Sequence, residues 1–400
     1  MRERSGVLTS ILLASATAEV GVRLLKPRLE APPPAPAALR SYFSEEEIAR
    51  GRAFARPQAA LALARGAIEL GALALLASRP PRVLRQRRRP VAAGAGAAAA
   101  LAVALSLPPL PLAVLSRRRA VSVGLVTQSW RGWALDQAKA TGIEAVLAAA
   151  AGATGIATIR RFPRGWWALG AAGSVLVGTL FAALGPVLLD PIFNNYTPLP
   201  EGDTRSDVLE LARDAGLRVK GIYSVDASRR TTAANAYVTG LGPTKRVVLF
   251  DTLLDPYSRD EVRVVVAHEL AHVRHRDVPR GVLYAAIIAP GAAFATQRLS
   301  WALSTERDSP AALPALAFAA ALVAAPIGLI GNRLSRAIER RADQYSLELT
   351  NSPDAFVSFE RTIALQNVAD LDPPRWMTAL LATHPSTAER IGAALEYAGR

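Results

Sequence analysis

The chain of 400 residues has no cysteine, two methionines and four histidines. The missing cysteine excludes a disulfide framework, a zinc–thiolate site and a thiol nucleophile, and it leaves the redox compartment unreadable. Aromatic residues are sparse, at 6%. Acidic residues are outnumbered, 33 against 47 lysines and arginines, so the formal net charge is +14. A basic chain is a candidate for nucleic-acid binding. Here, however, most arginines flank apolar runs, which reads more simply as contact with anionic lipid headgroups, so no nucleic-acid partner is expected. No internal repeat is visible.

What the chain has in excess is apolar residues, 51% of the total and strongly clumped. A membrane-spanning helix needs about 20 largely apolar residues. Seven segments qualify: Gly6–Leu25, Gln58–Ala77, Val91–Leu115, Gly142–Ile159, Trp166–Leu189, Gly281–Leu299 and Ala311–Gly331. The first has a rival reading, because Arg2 and Arg4 before an apolar run ending near Ala14–Ala18 resemble a cleavable signal peptide. Glu19, Arg65, Glu69 and Glu144 fall inside segments. They either line a watery cavity or sit near helix ends and reach for the interface. Arginine-rich loops at 26–57 and 116–141 place those loops, and with them 190–280 and 332–400, inside. Arg79, Arg82, Arg85, Arg87, Arg88 and Arg89 break that rule, since they would lie outside.

The longest polar stretch runs from about 190 to 280. Its spacing predicts a helix over Thr204–Leu217 and strands over Val219–Val225, Asn235–Thr239 and Arg246–Phe250. Gly240-Leu241-Gly242-Pro243 is a hairpin signal between the last two. A helix follows over Asp260–Arg274, and residues 332–400 are mostly helical. Four parts result: a five-helix membrane part at 1–189, an α+β part at 190–280, two further spans at 281–331 and a helical C-terminal part at 332–400.

Inside the predicted helix sits His268-Glu269-Leu270-Ala271-His272, an H-E-x-x-H pattern. Residues four apart share one helix face, so both imidazoles can meet one ion. Glu269, beside the first of them, reaches the ion's open position, where it can take a proton from water and pass it to a leaving amine. With so few histidines, a chance match somewhere in the chain is roughly a one-in-a-few-hundred event. A catalytic zinc takes a third protein ligand. The longer H-E-x-x-H-x-x-G-x-x-H form fails, because His275 stands at its glycine and Val278 at its third histidine. Glu339 and Asp343 in Ser335–Asp343 share a face, so Glu339 can ligate while Asp343 accepts the far N–H of a ligand histidine. Such pairs more often decorate solvated helices. What favours the pair here is a membrane hairpin that folds it back toward His268. His275 lies too far along the helix axis to share the ion and reads as structural. His384 is a candidate to stabilise an oxyanion or to cap the ion's open side, with an ordinary loop histidine as the alternative.

Several stretches then carry a resemblance. They are Tyr42-Phe43-Ser44-Glu45-Glu46-Glu47, Thr127-Gln128-Ser129-Trp130-Arg131-Gly132-Trp133, Asp190-Pro191-Ile192-Phe193-Asn194-Asn195-Tyr196, Asn235-Ala236-Tyr237, the H-E-x-x-H helix, Glu339 with Asp343, and Thr383-His384-Pro385. In that order, with seven segments around them, they resemble the integral-membrane CAAX prenyl protease type 1 family of zinc metallopeptidases, relatives of the gluzincins. The resemblance implies a multi-pass α-helical membrane protein whose seven transmembrane helices enclose a chamber, with a small α+β gluzincin-like domain at its inner mouth. It implies one zinc ion held by His268, His272 and Glu339, with Glu269 as base, His384 assisting and Asp343 behind the ligands. Asn235, Ala236 and Tyr237 would form an edge strand that takes substrate as an added strand. Arg340 departs from the family pattern, where an aromatic or small residue is more usual. The expected substrate is a membrane-associated polypeptide, prenylated or misfolded. The expected setting is the plasma membrane, with the catalytic part on the cytoplasmic side of a monomer. Two rivals remain: a silent scaffold or chaperone with the same fold, and an intramembrane site-2-type protease. The second lacks its third-ligand segment among the apolar runs.

Overall fold

The computed structural model describes residues 2–28, 31–85, 88–240 and 245–400. Arg87 of the basic loop and Leu241, Gly242 and Pro243 of the expected turn lie outside the described residues, as do the side chains of Arg2 and Arg4. The membrane part begins with α1 (Arg2–Leu25) and α2 (Glu45–Ser78). At the start of α2, the Ser44 hydroxyl accepts from the Glu47 N–H while the Glu47 carboxylate accepts from the Ser44 N–H. This reciprocal cap contributes about 1 kcal/mol. The expected third span is two helices, α3 (Pro90–Ser106) and α4 (Leu110–Ser122), bent by 47°. Pro108, Pro109 and Pro111 crowd the bend, where their missing N–H groups cannot continue a helix. Among the described residues there are therefore six helices long and apolar enough to cross a membrane, or seven if the bent pair is one span.

Helices α5 (Trp130–Arg161) and α6 (Trp166–Leu188) complete the N-terminal part, and the single turn α7 (Asp190–Phe193) leaves it. Helices α3 and α5 pack face to face where Gly94 meets Gly152. A Cβ on Gly152 would lie 2.5 Å from the Gly94 carbonyl oxygen, so only glycine permits that approach. Glu19 on α1 resolves one choice left by the sequence. It pairs with Arg23 at 2.7 Å and with Arg333 at 2.6 Å, so it is a paired charge tying α1 to a later helix.

The polar stretch folds as β1 (Tyr196–Pro198), α8 (Asp203–Asp214), β2 (Gly221–Val225), β3 (Ala236–Thr239), β4 (Arg246–Phe250), the short α9 (Asp251–Leu254) and α10 (Arg259–Arg274). The sheet order is β1-β2-β4-β3, with β2 and β4 parallel and the outer pairs antiparallel. Strand β1, only three residues long, has no counterpart in the sequence reading. The chain then re-enters the membrane part through α11 (Asp277–Leu303) and returns through α12 (Leu313–Thr350), a single helix of 38 residues. Helices α13 (Pro353–Gln366), α14 (Arg375–Leu380) and α15 (Thr387–Ala398) finish the chain.

The largest core joins β2, β3, β4, α8, α10, α13 and the end of α12, with Leu211, Leu249, Leu270, Leu347 and Phe356 fully buried. Burying a side chain of that size is worth about 1.5–3 kcal/mol. Polar contacts fix the helices in register. The buried Ser346 hydroxyl on α12 donates to the Val264 carbonyl on α10 at 2.7 Å. Glu261, which caps α10 with Ser258, also accepts from Ser358 of α13 at 2.8 Å.

Candidate metal centre

Helix α10 runs through the core with its Val262–Ala267 stretch buried apart from half-buried Arg263, which leaves His268, Glu269 and His272 at its last turns. Burial of Val262, Val264, Val265, Val266 and Ala267 is what holds the helix in place. The His268 and His272 rings stand nearly perpendicular, 82° apart, with centroids 5.0 Å from each other. Glu339 arrives from α12. His268 Nε2 lies 3.2 Å from Glu339 Oε2, and His272 Nε2 lies 3.7 Å from Glu339 Oε1. Donor atoms of these three residues all fall within 4.8 Å of one another.

Their chemistry and spacing fit a metal ion. Ligands about 2.0–2.1 Å from a tetrahedral ion sit about 3.3 Å apart, close to the 3.2 Å pair here. Glu339 Oε2 is buried and has only ligand-type imidazole nitrogens near it, without a well-formed hydrogen bond, a costly state for a carboxylate oxygen that a cation would satisfy. His384 joins from the loop after α14, with Nε2 3.4 Å from the same Oε2. Its ring is 63% exposed, so it faces the open side of the cluster. Thr383 Oγ1 lies 2.9 Å from His384 Nδ1.

Behind the cluster, each histidine of the helix meets a carboxylate on its far nitrogen. His268 Nδ1 lies 2.9 Å from Asp343 Oδ1, and His272 Nδ1 lies 3.1 Å from Asp277 Oδ2. Asp277 was not singled out in the sequence. It opens α11, and Arg276, at φ 56°, turns the chain sharply enough to swing it back beside α10. Asp277 is also bonded to Arg280 and Arg341. A second group missed by the sequence reading lies deeper. Arg390 of α15 grips Asp343 through two contacts, at 2.6 and 3.0 Å, and reaches Glu360 of α13 at 2.6 Å. One guanidinium thus serves two buried carboxylates. Asp343 holds the two-pronged contact, and burial pushes the Glu360 carboxyl up to about 7 against the pull of Arg390. Burial likewise raises the Glu269 carboxyl above its ordinary value, opposed by the two nearby imidazoles.

His275 stands apart. It caps the end of α10 and packs edge-on against Tyr345, with centroids 5.4 Å apart, and burial lowers its pKa. Arg340, the departure noted above, turns away from the cluster to pair with Glu389 of α15. Asn235 is exposed at the entry to β3, and its carbonyl accepts from the Phe250 N–H at 3.0 Å. Ala236 faces the core, while the Tyr237 hydroxyl on the other face lies 2.9 Å from that of Tyr196. β3 is an edge strand of the sheet and packs beside α10.

Comparison with known proteins gives concordant findings. The model of peptidase family M48 matches residues 198–398. An uncharacterized metalloprotease of Bacillus subtilis, YhfN, is 29% identical over 291 residues, covering 70% of this chain and 68% of the relative. The CAAX prenyl protease 1 homolog of Oryza sativa is 28% identical over 235 residues, 57% of this chain and 54% of its own, so the match spans about half of that relative. The crystal structure of S. mikatae Ste24p superposes with a TM-score of 0.76 over 98% of each chain at 20% identity, a likeness of fold.

Proposed function

The chain belongs to peptidase family M48, and on that premise we propose that it is a zinc endopeptidase that hydrolyses peptide bonds of membrane-associated polypeptides. It is a multi-pass membrane metalloprotease. The observation that carries the finer reading is the convergence of His268, His272 and Glu339 within 4.8 Å beside Glu269.

Two imidazoles and a carboxylate are a donor set that suits zinc, with His268, His272 and Glu339 as the ligands. Bound there, the ion would supply a Lewis acid that acidifies water and polarises a carbonyl. Asp343 and Asp277, each beside an Nδ1, would hold the two imidazoles in the tautomer that leaves Nε2 free to ligate. Glu269 would take the proton of the attacking water and deliver it to the leaving amine, a task helped by the burial that raises its carboxyl. His384, on the open side, would donate toward the developing oxyanion. The edge strand with Asn235, Ala236 and Tyr237 would pair with the substrate backbone, which lets side chains vary. Substrates would reach the site from a chamber between the spans, in a monomer, with the catalytic part on the cytoplasmic face of the plasma membrane. A silent scaffold has no use for Glu269, which disfavours that rival.

The test is cleavage of a fluorogenic peptide library by detergent-purified protein, alongside a chelated sample, Glu269→Gln and metal analysis. The expected result is activity that disappears in both controls while the variant keeps one zinc per chain. Protein that binds no zinc would overturn the reading.

A further inference from the structure

At the membrane face opposite the metal centre, the loop between α5 and α6 meets the end of α11 around a recess of about 450 Å³. Three arginines line it, Arg164, Arg298 and Arg307, against one acid, Asp308. That acid is already paired with Arg160 at 3.3 Å. Among the described residues, Arg164 and Arg298 meet no carboxylate, and Arg307 lies over the Trp301 ring, 4.9 Å from its centroid. The recess thus holds uncompensated positive charge. Its floor is built: the buried side chain of Gln297 donates to the Arg164 carbonyl at 3.3 Å and fastens the loop to α11. Its walls are aromatic, with Trp167 of α6 edge-on to Phe294 of α11, centroids 5.5 Å apart. Elsewhere along α6, Leu169, Leu176 and Val177 are each about half exposed.

Cationic heads above aromatic rings at the end of two spans are the chemistry that recognises a phosphodiester at the membrane interface, with hydrocarbon beneath. We propose that this recess is a binding site for an anionic phospholipid. Its phosphate sits between Arg164, Arg298 and Arg307, and its acyl chains lie along α6. The site is independent of the protease reading, since no residue in it touches the metal cluster.

The test uses the full chain in detergent and measures binding of dioleoylphosphatidylglycerol, dioleoylphosphatidylcholine and glycerol 3-phosphate. The double variant Arg164→Gln/Arg298→Gln is compared with Arg79→Gln/Arg82→Gln, which changes exposed arginines on the same face. Each arginine near the surface is worth about fivefold, so the first variant should lose about 25-fold in phosphatidylglycerol affinity. The control pair should lose little, and phosphatidylcholine should bind both variants alike. Equal phosphatidylglycerol binding by the wild type and the recess variant, in samples with matching melting temperatures, would overturn the proposal. So would glycerol 3-phosphate binding as tightly as the lipid, which would make this a free-phosphate site. If the double variant melts early, Trp167→Ala provides the second reading: lipid affinity should fall while glycerol 3-phosphate binding persists.

Discussion

Replacing Asp277 with asparagine separates two jobs that this carboxylate performs. The amide would keep the shape and an acceptor oxygen for His272 Nδ1, now 3.1 Å away, but would remove the charge. Loss of such a partner typically costs 10–100-fold in metal affinity, or about 1.4–2.8 kcal/mol. The second job is to neutralise Arg280 and Arg341, whose side chains are 21% and 12% exposed. Stripping a fully buried charge of its partner costs about 3–5 kcal/mol, and these partly open arginines should lose less, about 2 kcal/mol. Competition against a chromogenic zinc chelator reads the first effect. Thermal unfolding in excess chelator reads the second. The expected outcome for Asp277→Asn is a 10–100-fold weaker zinc affinity together with a lower metal-free melting temperature. Arg341→Gln should leave zinc affinity unchanged. An Asp277→Asn protein whose zinc affinity stays within about threefold of the wild type would refute the argument, leaving the residue only as a counter-charge for the arginines.

Three more outcomes can be checked. His384→Ala should retain zinc by metal analysis yet lose about 10²–10³-fold in kcat, because an exposed donor is removed without touching the ligands. Glu360 has its folded value raised to about 7 from an ordinary 4.5. Its contribution is therefore full below about 4.5 and lost as pH rises through about 7, by at most about 3 kcal/mol. Melting temperatures measured from pH 4.5 to 8 should decline over that window in the wild type and flatten in Glu360→Gln. Gly152→Leu forces side-chain atoms into the Gly94 backbone and should destabilise the α3–α5 pair by about 1–3 kcal/mol in detergent melts. Gly155→Leu, with open space around its Cβ, should change little.

The convergence of His268, His272 and Glu339 was readable in the sequence because its signal is local. His268 and His272 are one turn apart, and Glu339 and Asp343 repeat that spacing on a later helix. Asp277 was not readable, because its approach depends on the left-handed backbone at Arg276 and no periodicity reports a turn between two helices. Glu360 and Arg390 looked like ordinary charges on amphipathic helices. A signal did exist: Arg390 shares its stripe with the buried Ile391 and Ala394, and Glu360 shares its stripe with the buried Phe356 and Ala364. Opposite charges on two apolar stripes announce a buried pair. The prolines at 108, 109 and 111 were visible, but averaging hydropathy over the window hid the 47° bend they mark.

The third candidate ligand and a membrane span belong to one continuous helix, α12, with Pro326 inside it. Its apolar stretch ends near Gly331, so Glu339 stands about 12 Å farther along the axis. A spanning helix adjusts its tilt when the bilayer thins or thickens. A change of about 5° at the interface would swing an unrestrained Glu339 sideways by about 1 Å, but the end of α12 is fastened to α10 by the Ser346–Val264 and Asp343–His268 contacts. The span is thereby anchored to the core that carries the donor atoms.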